Sequence, residues 1–328
     1  MTRYRSVGLY NALLFATAAM LWTAPRADAQ SYSTRPIRDI VPASVSTPPD
    51  IVSRIVVNAV NESEGWNIVV ENRPGAGQVL GAREALKQPA DGYTLLTVGF
   101  PLTVTQSLVP DAGFDLNTDL APIAQLVTTG NVLVVNPKVP ATTVAELVQY
   151  LKDNPDKGTF SSGGVGTPAH IIGELFKLKA GVRTTHVPYT EFPRAIGDLL
   201  QGVNTYQFIA VAPVLGFIKT GQLRALAVTP AKRMPQLPEV PTLAEASYPE
   251  LTSFDWVGVA AKAGTPPDKI ASVNAAVNKV LKDPKVIESL QKIGSETAGG
   301  TPQQLADLIK SQVALWAKVV HDAGLKLQ

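Results

Sequence analysis

The chain has 328 residues, with 29 Lys and Arg, 27 Asp and Glu, 3 His and no Cys. The absence of Cys removes disulfides, thiolate chemistry and most structural zinc sites, and a chain this long buries enough apolar surface without such staples. The surplus of positive charge belongs to the amino end: without Arg3, Arg5, Arg26 and Asp28, 26 residues of each sign remain, which leaves no basic patch for nucleic acid or an anionic membrane.

Residues 1–29 read as a cleavable secretory leader. Arg3 and Arg5 precede an apolar run from Val7 to Leu21, and Ala27-Asp28-Ala29 supplies the small-x-small cleavage pattern. The run is short for a membrane span, and the mature chain is expected to begin at Gln30. Its roughly 300 residues suit two domains.

From Pro36 onward, short β-rich runs alternate with helical stretches. Ile37 to Val41 is a strand, and Asp50 is read as the cap of a helix to about Asn61. Asn67 to Glu71 is a strand, Leu80 to Leu86 a helix, and Tyr93 to Val98 a third strand. This β-α-β-α-β order predicts a mostly parallel sheet with helices on its faces. The unit then restarts with strands at Ile123–Val127 and Asn131–Val135, and a helix from Thr143 to Lys152. A strand ending at Phe160, a helix after Pro168, and strands at Thr185–Val187, Tyr206–Ala210 and Leu223–Val228 follow, with a helix through Arg194–Leu200. Pro230 to Pro249 is proline-rich and aperiodic. A β run at Phe254–Ala260 and helices at Pro267–Leu281, Val286–Ile293 and Pro302–Val320 close the chain. The expected division is 30–130 for a first lobe, 131–249 for a second, and 250–328 for a return to the first.

In open α/β sheets, ligands bind outside the carboxyl ends of the strands. The loops expected there are Ala43–Pro49 (with Ser44, Val45, Ser46 and Thr47), Gly99–Thr103 (with Phe100 and Pro101), Ser161–Thr167, and Tyr189–Phe192. Three of the four lead into helix starts. The stretch Ser161-Ser162-Gly163-Gly164-Val165-Gly166-Thr167-Pro168-Ala169-His170 is central: its small residues bare the backbone, Thr167 is placed as N-cap and Pro168 as the first helical residue. A helix start offers unpaired N–H groups and a partial positive charge, so it holds an anion without Lys or Arg.

Other chemistries fare poorly. Gly164 to Ala169 fits G-x-G-x-x-A, with Glu191 near the place of a ribose-binding acid, but the pattern is short and an exported chain meets little nicotinamide cofactor. No G-x-S-x-G elbow or phosphate loop occurs. The three histidines, His170, His186 and His321, share no metal-ligand spacing. His170 is read as a neutral ring bonding the glycine loop, and the other two as without a role. No catalytic residue, metal or cofactor is expected.

Nine motifs in order resemble the Bug (TctC-type) extracytoplasmic solute receptors, the substrate-binding proteins of tripartite tricarboxylate transporters. They are Arg35-Pro36-Ile37-Arg38 with Val41-Pro42 and Asp50; Val70 to Gly77; Asp91 to Leu96; Val132 to Pro137; Ser162-Gly163 through His170 with Gly173 to Phe176; His186 to Tyr189; Leu223 to Thr229; Pro238 to Thr242; and Ala263 to Pro267. The resemblance implies a type II two-lobed periplasmic-binding-protein fold that closes on a small carboxylate, held by the loop after the first strand and the glycine loop. Where the family has a Gly-Gly pair before Asp50, this chain has Ser46-Thr47-Pro48-Pro49, and prolines remove N–H donors.

The expectation is a monomeric, non-enzymatic periplasmic receptor that delivers a carboxylate to membrane transporter subunits. The alternative is a ligand-sensing partner of a two-component kinase. The expected contacts are Ser44, Val45, Ser46, Thr47, Phe100, Pro101, Ser161, Ser162, Gly163, Gly166, Thr167, His170, Tyr189 and Phe192. Val45, Pro48, Pro49, Phe100, Pro101 and Phe192, with Ile209 at a commonly acidic position, favour an apolar, aromatic mono- or dicarboxylate.

Overall fold

The structure is a computed structural model that describes residues 35–109, 111–155, 157–164, 166–189, 192–252 and 255–322. The leader, Val165, Glu191 and the Phe192 side chain lie outside the described residues. The first half runs β1 (Ile37–Val41), α1 (Pro48–Glu64), β2 (Ile68–Asn72), α2 (Val79–Lys87), β3 (Thr94–Gly99), α3 (Phe100–Leu108) and β4 (Leu120–Thr129). Next come β5 (Asn131–Val135), α4 (Val144–Asp153), β6 (Thr159–Ser162), α5 (Pro168–Ala180), β7 (Thr185–Pro188), α6 (Phe192–Gln201), β8 (Tyr206–Ala210), α7 (Leu215–Lys219) and β9 (Arg224–Val228). The chain ends with β10 (Asp255–Lys262), α8 (Pro267–Val280), α9 (Pro284–Lys292), β11 (Ser295–Gly299) and α10 (Pro302–Asp322).

Local chemistry sets many of these limits. Prolines open α1, α5, α8 and α9, where a missing N–H costs nothing. Gly65 and Gly181 end α1 and α5 with φ of 65° and 61°, a left-handed turn that only glycine adopts without strain. Thr143 caps α4 by accepting the Glu146 N–H.

The strands form two sheets, ordered β11-β4-β10-β3-β1-β2 and β7-β6-β8-β5-β9. In the first, β1 pairs parallel with β2 and β3, while β10 runs antiparallel between β3 and β4, and β11 antiparallel to β4. In the second, β6 pairs parallel with β7 and β8, and β5 runs antiparallel to both β8 and β9. Most strands of each sheet therefore point one way, with returning strands set among them.

Gly130 alone separates β4 from β5, and so one sheet from the other. Since β4 ends at the carboxyl edge of the first sheet and β5 starts at that of the second, this crossing joins the two carboxyl edges. The end of β9 lies alongside, where the Thr229 N–H donates to Asn131 O at 2.8 Å and the Asn131 N–H to Thr229 Oγ1 at 3.1 Å, and the returning strand β10 starts beside β4 with Asp255 opposite Thr129. A Cβ on Gly130 would stand 2.5 Å from Pro230 Cγ, so the crossing tolerates no side chain there.

Phe100, Trp256 and Trp316 anchor the core over the first sheet, and Phe160, Phe176, Tyr206 and Phe208 that over one face of the second. The opposite face of the second sheet packs Val132, Val134 and Ile209 beneath Ile196 and Leu199 of α6. Met234 and Leu237 join that cluster, and Leu243 is fully buried in the larger core, so the aperiodic 230–249 segment is tied down by apolar side chains on both.

Candidate functional site

At the first edge, the loop between β1 and α1 is organised by Asp50, the third residue of the helix and not its cap. Thr47 is the N-cap, without a side-chain cap bond. The Asp50 carboxylate accepts from Ser46 N–H at 2.8 Å, Arg54 Nε at 2.9 Å and Asn72 Nδ2 at 2.9 Å. Burial alone would raise its pKa, but these donors together hold it below the ordinary value. Ser46 sits at φ 65°, and the Thr47 hydroxyl is spent on Ser44 O at 2.6 Å. Pro48 and Pro49 remove two donors, so the first N–H of α1 is that of Asp50.

At the second edge, the glycine loop stands on a column of rings. Tyr206 stacks on Phe160 (centroids 5.6 Å apart), Phe160 on His186 (4.9 Å), and His186 meets His170 (4.2 Å). The Gly166 N–H donates to His170 Nδ1 at 3.2 Å, which requires that nitrogen to be unprotonated. Ser162 Oγ lies 2.6 Å from His186 Nε2 and exchanges bonds with both the N–H and O of Gly164 at 3.0 Å. Thr167 Oγ1 donates to Gly164 O at 2.7 Å. Burial lowers the His170 pKa, with Glu174 opposing and Lys177 assisting. Burial, then the neighbouring His170 and Lys177, pushes His186 down to about 4. Both rings are therefore neutral at pH 7. Gly164 and Gly166 take φ of 118° and 82° with open space where a Cβ would project, so at these two positions the loop presents backbone alone.

Above this column α5 begins. The first-turn N–H groups of Ala169 and His170 precede any intrahelical acceptor, and the helix dipole favours negative charge there. The arrangement can hold a carboxylate by neutral dipoles alone. Among the described residues, no group of three or more His, Cys, Asp and Glu is disposed to hold a metal ion.

The expected residues are placed unevenly. Ser44, Val45 and Ser46 are exposed and Thr47 half-buried on the first edge, and Pro101 is half-buried at the second position of α3. Gly163 is exposed, Thr167 half-buried, and Ser162, Gly166 and His170 are buried in the glycine loop and its supports. Tyr189 is anchored at the base of the loop, its N–H on Ser162 O and its hydroxyl between Asp198 and Asn204.

Four readings need correction. Phe100 opens α3 and turns into the core, fully buried, with its ring 4.8 Å edge-on from Trp316; an apolar first-turn residue gains more from that packing than from a watery rim. Ile209 is likewise interior, beneath α6. Ser161 alternates away from the glycine loop onto the α6 side of its strand and is fully buried. His186, read as without a role, supports the loop; its alternation with Phe160 across paired strands was the available signal.

Two α/β halves, joined at their carboxyl edges and presenting helix starts there, define a solute receptor of the periplasmic-binding-protein type. The family model for the tripartite tricarboxylate transporter family receptor (TctC) matches residues 52–325, and the chain belongs to that family. This is a family of receptors, not of enzymes. The chain is 35% identical to protein BugT of Bordetella pertussis over 318 residues, 96% of this chain and 97% of that one. A solved structure described as a periplasmic transporter superposes with a TM-score of 0.81 at 35% identity, covering 90% of this chain and all of that one. An R. palustris protein solved with adipate gives 0.79 at 32% identity, covering 89% and 98%. The matched span starts after the β1–α1 loop, where Ser46 to Pro49 depart from the family pattern.

Proposed function

We propose that the protein captures a small carboxylate with an apolar body between its two sheet edges and delivers it, in the periplasm, to a membrane transporter. The observation that carries this reading is the α5 start, where the Ala169 and His170 N–H groups have no intrahelical acceptor and Ser162, His170 and His186 brace the loop before it without a cation. The relative solved with adipate supports a dicarboxylate, and the family supports the transporter as recipient. The expected leader and the likeness to a periplasmic transporter support the compartment.

Phe100 and Ile209 no longer contribute to an apolar wall, which leaves Val45 (63% exposed), Pro48, Pro49 and Pro101 among the described side chains. These serve the tetramethylene chain of adipate as well as a phenyl ring. A thermal-shift panel of adipate, succinate, malate, citrate, benzoate and phthalate tests the reading. An acid at 100 times its dissociation constant should stabilise by about 2.7 kcal/mol. A melting point unmoved by every acid at millimolar concentration would overturn the proposal, and a shift with aliphatic acids alone would remove the aromatic ligand.

A further inference from the structure

We propose that the side-chain amide of Asn131, the first residue past the crossing, donates to the bound carboxylate. This rests on the function proposed above. Asn131 is 5% exposed, and its Nδ2 is buried without a hydrogen-bond partner. A buried amide donor left unpaired carries its full desolvation cost, so its position calls for an acceptor that arrives later.

Register shows where it points. Asn131 pairs with Ala210 and Leu133 with Phe208, so Asn131 shares the face of Leu133 and Phe208. Phe208 meets Phe176 of α5, centroids 5.8 Å apart, which makes this the α5 face. Asn131 stands at the carboxyl edge of that face, and α5 begins at the same edge. The other unpartnered side chains of this sheet, Ser161 and Gln207, are register partners on the α6 face, and only Asn131 shares the edge and face of the helix start.

The backbone of Asn131 is already fixed to the end of β9, through its N–H to Thr229 Oγ1 and its O to Thr229 N–H. A ligand oxygen on Nδ2 therefore meets a residue whose main chain is held in place before the ligand arrives. A carboxylate fits the amide because it accepts without donating, and no charge need be buried opposite it.

The test is calorimetric titration of wild type, Asn131→Ala and Asn131→Asp with the acid of the panel above that gives the largest shift, alongside melting of each unliganded protein. The expected result is a loss of tenfold or more in Asn131→Ala with unliganded melting retained, since the deleted donor had no partner. Asn131→Asp should lose more, about a hundredfold at pH 7.5, and the gap should narrow toward pH 5 as the new carboxyl gains a proton. Wild-type affinity in Asn131→Ala would overturn the inference alone, as would lowered unliganded melting with unchanged affinity. Failure of wild type to bind any acid would overturn the proposed function, and this inference with it.

Discussion

Acid should loosen the glycine loop, and His186→Gln isolates the effect. In the folded protein the His186 ring is pushed from 6.5 down to about 4, so the unfolded chain takes up a proton first as pH falls. The stability held by the neutral ring is complete above pH 6.5 and drains away between pH 6.5 and about 4. The full displacement corresponds to about 3 kcal/mol, and partial solvent access to the half-buried ring reduces this to about 2. His170 acts with the same sign: its pKa is lowered too, and a proton on Nδ1 would cancel the Gly166 bond. Glu174 and Lys177, paired at 2.8 Å on α5, are the charges that face the rings. Wild-type melting alone would mislead, because burial pushes Asp255 up to about 7; its contribution is present at low pH and lost as pH rises through 7. Gln at 186 can still reach Ser162 Oγ and does not titrate. The stability difference between wild type and His186→Gln should therefore fall by about 2 kcal/mol from pH 7 to 4.5, a shift of several degrees in melting. A difference flat to within about 0.5 kcal/mol across that range would refute the reasoning.

Gly173→Ala should destabilise by about 1–3 kcal/mol, because the new Cβ would stand 2.5 Å from Cδ2 of the Phe160 ring under the loop; chemical denaturation checks this, and a neutral result would mean that the ring column moves freely. Asp50→Ala should cost about 1–2 kcal/mol, since it removes the shared acceptor of the Ser46 N–H, Asn72 and Arg54, of which the exposed Ser46 and Arg54 regain water, and hydrogen exchange should show residues 43–47 opening before the rest of the first sheet.

The sequence carried much of this where one local cause dominates. Asn131–Val135 and Tyr206–Ala210 are apolar runs buried on both faces, and both strands were found with their observed limits. Thr143 and Thr167 mark helix starts through cap and proline chemistry. Helix α3 was hidden because Gly99-Phe100-Pro101 reads as a loop, although proline at the second helical position needs no N–H acceptor. Strand β11, Ser295 to Gly299, has no apolar alternation and is a strand only because β4 pairs with it at the sheet edge. Asp39 was missed for a similar reason: a carboxyl inside β1 is tolerable only through Ser53 and Thr97, which approach from α1 and β3. The site was legible as a set of loops but not as side-chain directions, which long-range packing decides. Phe100 and His186 both turn on that.

The charges around the site follow one pattern. Arg54 is held by Asp50 and Asn72, and Arg38 and Arg73 by Glu71, so the arginines near the first edge are neutralised within their own half. The rings under the second edge are neutral. A carboxylate arriving there meets backbone dipoles, hydroxyls and amides. A buried full cation would have to be stripped of water and would then grip an anion hard, with slow release. Neutral donors lose less on desolvation and contribute about 0.5–1.5 kcal/mol each, more toward a charged acceptor. Several such bonds together give binding that is selective for an anion and still reversible. That balance suits a solute receptor of this family, and it makes the placement of each donor matter more than the net charge around the site.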